Sequence, residues 1–150
     1  MQHTKPAAYL GIVFAALTAC GVKEPQTGKP GSPTPAQSIQ LLRQLHQIAG
    51  QANQAAPAAI DENTRLDGAR VGPGLKLTST YTLVNAKANG IDSATFQAKL
   101  TSLIKDASCT NSELRPLIDQ GVVVVLEYRG LDGSPIGTLS IDRDTCGASR

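Results

Sequence analysis

Histidines, cysteines and closely spaced carboxylates are the side chains that most often carry catalysis or hold metals. The sequence has two histidines, three cysteines and 12 Asp+Glu in 150 residues. His46 sits in the glutamine-rich stretch QLLRQLHQ with no convincing partner for a triad, so it reads as a solvated residue on the polar side of a helix. Two carboxylate pairs occur, Asp61/Glu62 and Asp142/Asp144. Alternate spacing near a strand end lets Asp142 and Asp144 point the same way, which is the beginning of an oxygen site for a hard cation such as Ca²⁺. Arg143 lies between them and no Asp/Asn/Gly loop completes the ligand set, so a solvated chain end is expected. The run Asp61-Glu62-Asn63-Thr64-Arg65-Leu66-Asp67 mixes both charges at short range, as a recognition arm or as an internally paired loop, and the paired loop is the expectation. Gly72-Pro73-Gly74 lacks the Gly-Lys-Ser/Thr ending that brings charge to a phosphate and reads as a turn. Tyr81 and Tyr128 fall on apolar strand faces and are expected to pack together in the core. No catalytic residue, metal or cofactor is assigned.

The balance of 14 Lys+Arg against 12 Asp+Glu leaves +2, without the clustered basicity of a nucleic-acid binder. A nucleic-acid partner is therefore not expected, and the length suits one small domain.

The amino end carries the most specific signal. Residues 7–19, AAYLGIVFAALTA, form an uncharged apolar stretch of about thirteen residues, short of the roughly twenty that span a bilayer. That length fits the apolar region of a secretory signal peptide. The stretch ends in Leu17-Thr18-Ala19-Cys20, which resembles the bacterial lipobox. In lipoprotein precursors of that kind the cysteine thiol receives a diacylglycerol, signal peptidase II cuts before it, and the new α-amine is acylated. The resemblance implies a signal peptide over residues 1–19 and palmitate-type lipidation at Cys20. At about 0.8 kcal/mol per buried methylene, two or three chains anchor stably where one does not. Gly21, in place of Asp, resembles the enterobacterial sorting signal for the outer membrane and implies an anchor there, facing the periplasm.

With Cys20 taken by lipid, Cys109 and Cys146 remain, in a compartment oxidising enough to join them. A Cys109–Cys146 disulfide is expected, closing a loop of about 37 residues and contributing roughly 3 to 4 kcal/mol in the loop-entropy picture. The alternatives are a thiol nucleophile or a metal pair. The first would want a histidine nearby, and the second closer spacing and more ligands.

The elements that would position these groups follow from periodicity. Residues 20–35 hold Pro25, Pro30, Pro33 and Pro35 and almost nothing apolar, the composition of a disordered tether. Residues 36–150 are expected to form one α+β domain. Leu41, Leu45, Ile48 and Ala52 mark an amphipathic helix over 36–56, ended by Pro57. Residues 60–74 are punctuated by glycines and read as a loop or irregular arm. LKLTSTYTLV, residues 75–84, alternates as a half-buried strand. Asp92 or Ser93 caps a helix carrying Phe96, Leu100, Leu103 and Ile104 inward. Asn111 or Ser112 starts a shorter helix with Leu114, Leu117 and Ile118 inward and Gly121 at its exit. Residues 122–129 and 136–141 are strands of a hairpin joined by the Asp-Gly loop 130–135. The expected architecture is α+β, helices packed on a small, mainly antiparallel, three-stranded sheet.

The strings IDENTRLDGARVGPGLKLTSTYTLVN and CTNSELRPLIDQGVVVVLEYRGLDGSPIG look like a small α+β domain of uncharacterised bacterial envelope proteins, a resemblance that implies shape and no chemistry. Two functional readings follow. One is a membrane-anchored binding or adaptor lipoprotein with an envelope protein partner, accessory to a secretion, conjugation or surface-exclusion apparatus. The other is a periplasmic inhibitor or immunity lipoprotein that inserts residues 60–74 or 130–135 into a toxin or hydrolase. An enzyme is not expected.

Overall fold

The computed structural model describes residues 32–147. The signal peptide, Cys20 and most of the tether expected from the sequence lie outside these residues.

Helix α1 spans Pro35–Ala55. Thr34 caps it, its hydroxyl accepting from the Gln37 amide while Gln37 Oε1 accepts from the Thr34 amide at 2.8 Å. This reciprocal pairing satisfies two of the unpaired donors at the helix start, and Pro35 occupies the first turn, where its missing N–H costs nothing. After the Ala56-Pro57 cis peptide come β1 (Ala58–Ala59), β2 (Thr64–Gly72) and β3 (Lys76–Leu83). A short 3₁₀ turn, Ala88–Gly90, leads to α2 (Ser93–Thr110), capped by Asp92 Oδ1 on the Thr95 amide at 2.7 Å. Helix α3 (Leu114–Asp119) starts where Asn111 Oδ1 accepts from the amides of Glu113 and Leu114, and Gly121 leaves it at φ 94°. Strands β4 (Val123–Gly130) and β5 (Pro135–Ile141) follow, and α4 (Arg143–Cys146) closes the described chain.

The five strands lie in the order β1-β2-β3-β4-β5, antiparallel except for the central β3–β4 pair. That parallel pair needs a long crossover, and α2 with α3 supplies it. The mixed α+β class agrees with the sequence reading, but the sheet has five strands, not three. Both extra strands come from the stretch around residues 58–72, most of which reads as an irregular arm. The reason is a bulge in β2: Leu66 pairs with Tyr81, yet the next partner of Thr80 is Gly68, so Asp67 is the extra residue. Leu66, Ala69 and Val71 share a face only because the bulge resets the phase, and a strict two-residue period misses them.

One face of the sheet carries the core. Leu41, Leu45 and Ala49 of α1 and Leu117 and Ile118 of α3 pack with Leu77, Val124, Leu126, Leu139 and Ile141. Helix α1 lies over β2 and the near side of β3, and α2 lies over β5. Leu103, expected to point inward, is 71% exposed, because the stripe facing the sheet runs through Leu100, Ile104 and Ser108. Cys109 at the end of α2 is bonded to Cys146 at the end of α4, with Sγ atoms 1.95 Å and Cα atoms 5.3 Å apart.

Candidate functional site

The residues with chemical potential do not converge. His46 is exposed on α1, and among the described residues no carboxylate hydrogen-bonds to it. Asp61 Oδ1 accepts from the Asn63 amide at 2.7 Å and orders the turn between β1 and β2. Asp142 and Asp144 do not face a common cation. Asp142 is the N-cap of α4, its Oδ1 accepting from the Thr145 amide at 2.8 Å and hydroxyl at 2.7 Å, while Asp144 sits in the helix itself. The Thr145 hydroxyl, then its amide, hold the Asp142 carboxyl below the ordinary range against a smaller opposing effect of burial. Among the described residues no group of three or more His, Cys, Asp or Glu is placed to hold a metal.

The mixed charges at 61–67 are internally paired, but on a strand. Arg65 Nε lies 2.7 Å from Asp67 Oδ1, and the Thr82 hydroxyl donates to Asp67 Oδ2 at 2.6 Å. Burial pushes the Asp67 carboxyl up, and the hydrogen bonds from Thr82 and Arg65 outweigh it, so the net shift is downward. One ladder step along, Arg70 reaches across β3 to Glu127 on β4, with Nη2 to Oε1 at 2.5 Å and Nη1 to Oε2 at 3.2 Å. Arg129 is 4.0 Å from the same carboxylate. The Arg70 hydrogen bond holds Glu127 below its usual range. These pairs, with Thr78, Thr80 and Thr82, make the sheet face opposite the core a polar lattice.

On the core face the two tyrosines pack together, as their strand positions predict. The Tyr81 and Tyr128 rings stack with centroids 5.2 Å apart, and Phe96 of α2 meets Tyr128 edge-on at 5.5 Å. Burial, then the neighbouring Tyr81 and Asp61, push the Tyr128 phenol up to about 12, and burial also raises Tyr81 against the Ser79 hydrogen bond. Both therefore stay neutral near pH 7. The cluster offers aromatic area and two hydroxyls rather than an acid or base.

The two margins of the sheet carry residues that sequence reasoning missed. At the β2 margin, Asn53 of α1 donates Nδ2 to the Ala69 carbonyl at 2.8 Å and accepts the Ala69 amide on Oδ1 at 2.7 Å, standing in for a neighbouring strand. A Cβ on Gly68 would come within 2.8 Å of that oxygen, so only glycine fits under the latch. At the β5 margin, Gln97 of α2 donates Nε2 to the Thr138 carbonyl at 2.6 Å. A signal existed for both. Asn53 continues the Leu41, Leu45, Ala49 spacing, and Gln97 precedes Leu100 and Ile104 by three and seven, so each exposed amide borders an inward stripe. Beside Gln97 lies a shallow depression of about 570 Å³ lined by Ser93, Ala94, Gln97, Ala98 and Thr101. No described helix is long and apolar enough to cross a membrane.

No protein-family model matches the chain, and no curated protein matches it in sequence. Solved structures with a similar fold do exist. A Pseudomonas aeruginosa protein described as secreted superposes with a TM-score of 0.64 at 21% identity, over 77% of this chain and 100% of that one. EpsS, the pilotin from the Vibrio vulnificus type 2 secretion system, gives 0.63 at 14% identity, over 77% of this chain and 100% of its own. AspS, the type II secretion system pilotin from Vibrio cholerae, gives 0.57 at 14% identity, over 74% and 96%. At such identities the likeness establishes a shared fold, and that fold accounts for the whole of EpsS and nearly all of AspS.

Proposed function

We propose that the protein is a lipid-anchored adaptor of the bacterial envelope, accessory to a secretion apparatus and without catalytic activity of its own. The observation that carries this reading is the fold shared along its length with two pilotins of type II secretion systems. The sequence adds the lipobox-like Leu17-Thr18-Ala19-Cys20, and Gly21 supports an outer-membrane anchor facing the periplasm. An adaptor needs a tether, a stable body and a contact surface. Residues 20–33 supply a proline-rich stretch of tether composition, the bridged α+β domain supplies the body, and the partner is an envelope protein of the apparatus. The inhibitor reading keeps one of its two candidate inserting loops, residues 130–135 between β4 and β5, because residues 64–72 of the other are strand β2.

The test is made on the full chain in cells. Mass spectrometry of membrane-extracted protein should show a chain beginning at an acylated Cys20, and crosslinked membranes should return a secretion-apparatus component. Cys20→Ser should abolish palmitate labelling and release the protein from sedimenting membranes. Unchanged labelling and sedimentation in that variant would remove the anchor, and a toxin or hydrolase as the captured partner would replace the adaptor reading with the inhibitor one.

A further inference from the structure

The two margins of the sheet differ in how completely their backbone groups are used. In β2, strand alternation turns the N–H and C=O of Thr64, Leu66, Ala69 and Val71 outward, away from β3. The Thr64 carbonyl accepts from Ile60, Leu66 faces its β1 partner Ala58, and Asn53 takes both groups of Ala69, so the row is closed up to Val71. The Val123 amide bonds to Leu75 on the β3 side, so Val124, Leu126 and Tyr128 turn to β5, their partners Ile141, Leu139 and Gly137 face back, and Thr138 and Ser140 turn outward. Gln97 occupies the Thr138 carbonyl alone. Among the described residues, the Thr138 N–H and both backbone groups of Ser140 have no protein partner. An open edge of this kind is a template for another strand, and proteins commonly blunt it with a lysine, an inward charge or a mid-strand proline. Residues 136–141 have none of these, and the one bulge in β5, at Ile136, lies before the open groups of Thr138 and Ser140.

We infer that β5 is a strand-acceptor edge that takes one extended, uncharged segment of the envelope partner as a sixth strand. That the segment belongs to a secretion apparatus rests on the adaptor reading, whereas the acceptor geometry does not. Four observations select this occupant. The outward groups repeat every second residue, a spacing of roughly 7 Å that matches extended backbone and not a helix. Neither Pro135–Ile141 nor the residues lining the adjoining depression are charged, so the strand and the depression offer a charged side chain no counter-ion. A second copy of this chain is disfavoured because α2 lies over β5 itself. Pairing two β5 edges about 4.8 Å apart would crowd two helices that need 8–10 Å between their axes. A lone strand brings no helix, and its side chains on the core side fall beside the small residues of α2, in the depression. The chain's own residues 21–33 are poorly suited, since Pro25, Pro30 and Pro33 lack the N–H a ladder requires.

The experiment uses the full chain in its native membranes. A photo-crosslinking residue, p-benzoylphenylalanine, replaces Thr138 or Ser140 one at a time, and the adducts are mapped to single residues of the captured protein. The expected result is one partner, crosslinked from the two positions at residues two apart in a single uncharged segment. Ser140→Pro removes the outward N–H from an edge that tolerates proline, so partner capture should fall at least ten-fold, while Ser140→Thr should retain it. Full capture by Ser140→Pro, or adducts scattered over a helical face, would overturn the acceptor edge and leave the adaptor reading standing. An adduct with a second copy of this chain would assign the edge to self-association and also overturn the proposal. A wild-type chain that captures no envelope protein from either position or by general crosslinking would overturn both readings together. Should Ser140→Pro fail to fold, as circular dichroism would reveal, the two-residue register of the adducts decides by itself.

Discussion

Strand β3 separates two surfaces built on different physics. On one side Leu77, Ser79, Tyr81 and Leu83 face the helices, where Leu77 is 4% exposed and the tyrosine stacks on Tyr128. On the other side Thr78, Thr80 and Thr82 meet Arg70, Glu127 and Asp67, with no helix on top among the described residues. The first surface is held by removal of apolar area from water, at about 25 cal/mol per Å². The second is held by directional pairs that solvent screens. The difference teaches where the molecule can be altered: the covered face determines whether the domain exists, and the open face and free edge are where contacts can change without unfolding it.

The comparison is put at risk first by the largest expected effects. Reducing the Cys109–Cys146 bond, or replacing both residues with serine, should lower unfolding stability by roughly 4 kcal/mol if the unfolded chain gains the freedom of its 37-residue loop. Urea titration of the oxidised and reduced protein measures it, and a loss below about 1 kcal/mol would mean that packing of α2 and α4 already holds the helical layer. Next, Leu45→Ala removes a side chain with no solvent exposure and should cost about 3 kcal/mol, while Thr80→Ala on the open face should change stability by less than about 0.5 kcal/mol. Equal losses at the two sites would erase the distinction between the faces.

Both surfaces were unevenly legible in the sequence, for the same reason. Strands β3, β4 and β5 announce themselves because their apolar residues alternate or run together, and α1 and α2 announce themselves through the spacing of Leu41 and Leu45 and of Phe96 and Leu100. Strand β2 hides because its bulge shifts the phase at Asp67, and because its outward face is charged where a loop would be charged too. The pairing of Arg70 with Glu127 joins residues 57 apart, a separation that no local pattern carries. Asp142 misleads in the opposite way: a two-residue spacing looks like a shared ligand face until the chain turns into α4 and the carboxylate becomes a cap. The edges are harder still. Whether Thr138 and Ser140 face a neighbour or solvent depends on strand order, which is set by tertiary packing.

Smaller effects sharpen the comparison further. Asp92→Ala removes the cap of α2 and should lower the midpoint of thermal or urea unfolding, by less than Leu45→Ala does. Glu127→Gln tests the open face alone. Its carboxylate lies on Arg70, whose side chain is 58% exposed, so the pair is worth at most about 1 kcal/mol at pH 7. The Arg70 hydrogen bond lowers the folded-state pKa of Glu127 beneath its ordinary 4.5. A carboxyl shifted down contributes its full stabilisation above the unfolded-state value and loses it as pH falls through the lowered folded-state value. The stability gap between wild type and Glu127→Gln should therefore be present at pH 7, narrow below about pH 4.5, and close once Glu127 is protonated in the folded chain. Raising salt at pH 7 should narrow it as well, whereas the Leu45→Ala loss should not shrink with salt. A Glu127→Gln penalty that persists unchanged at low pH would show that the loss comes from an amide NH2 replacing an acceptor oxygen beside Arg70 and not from the charge, and the open face would then rest on hydrogen-bond geometry that neither pH nor salt relaxes.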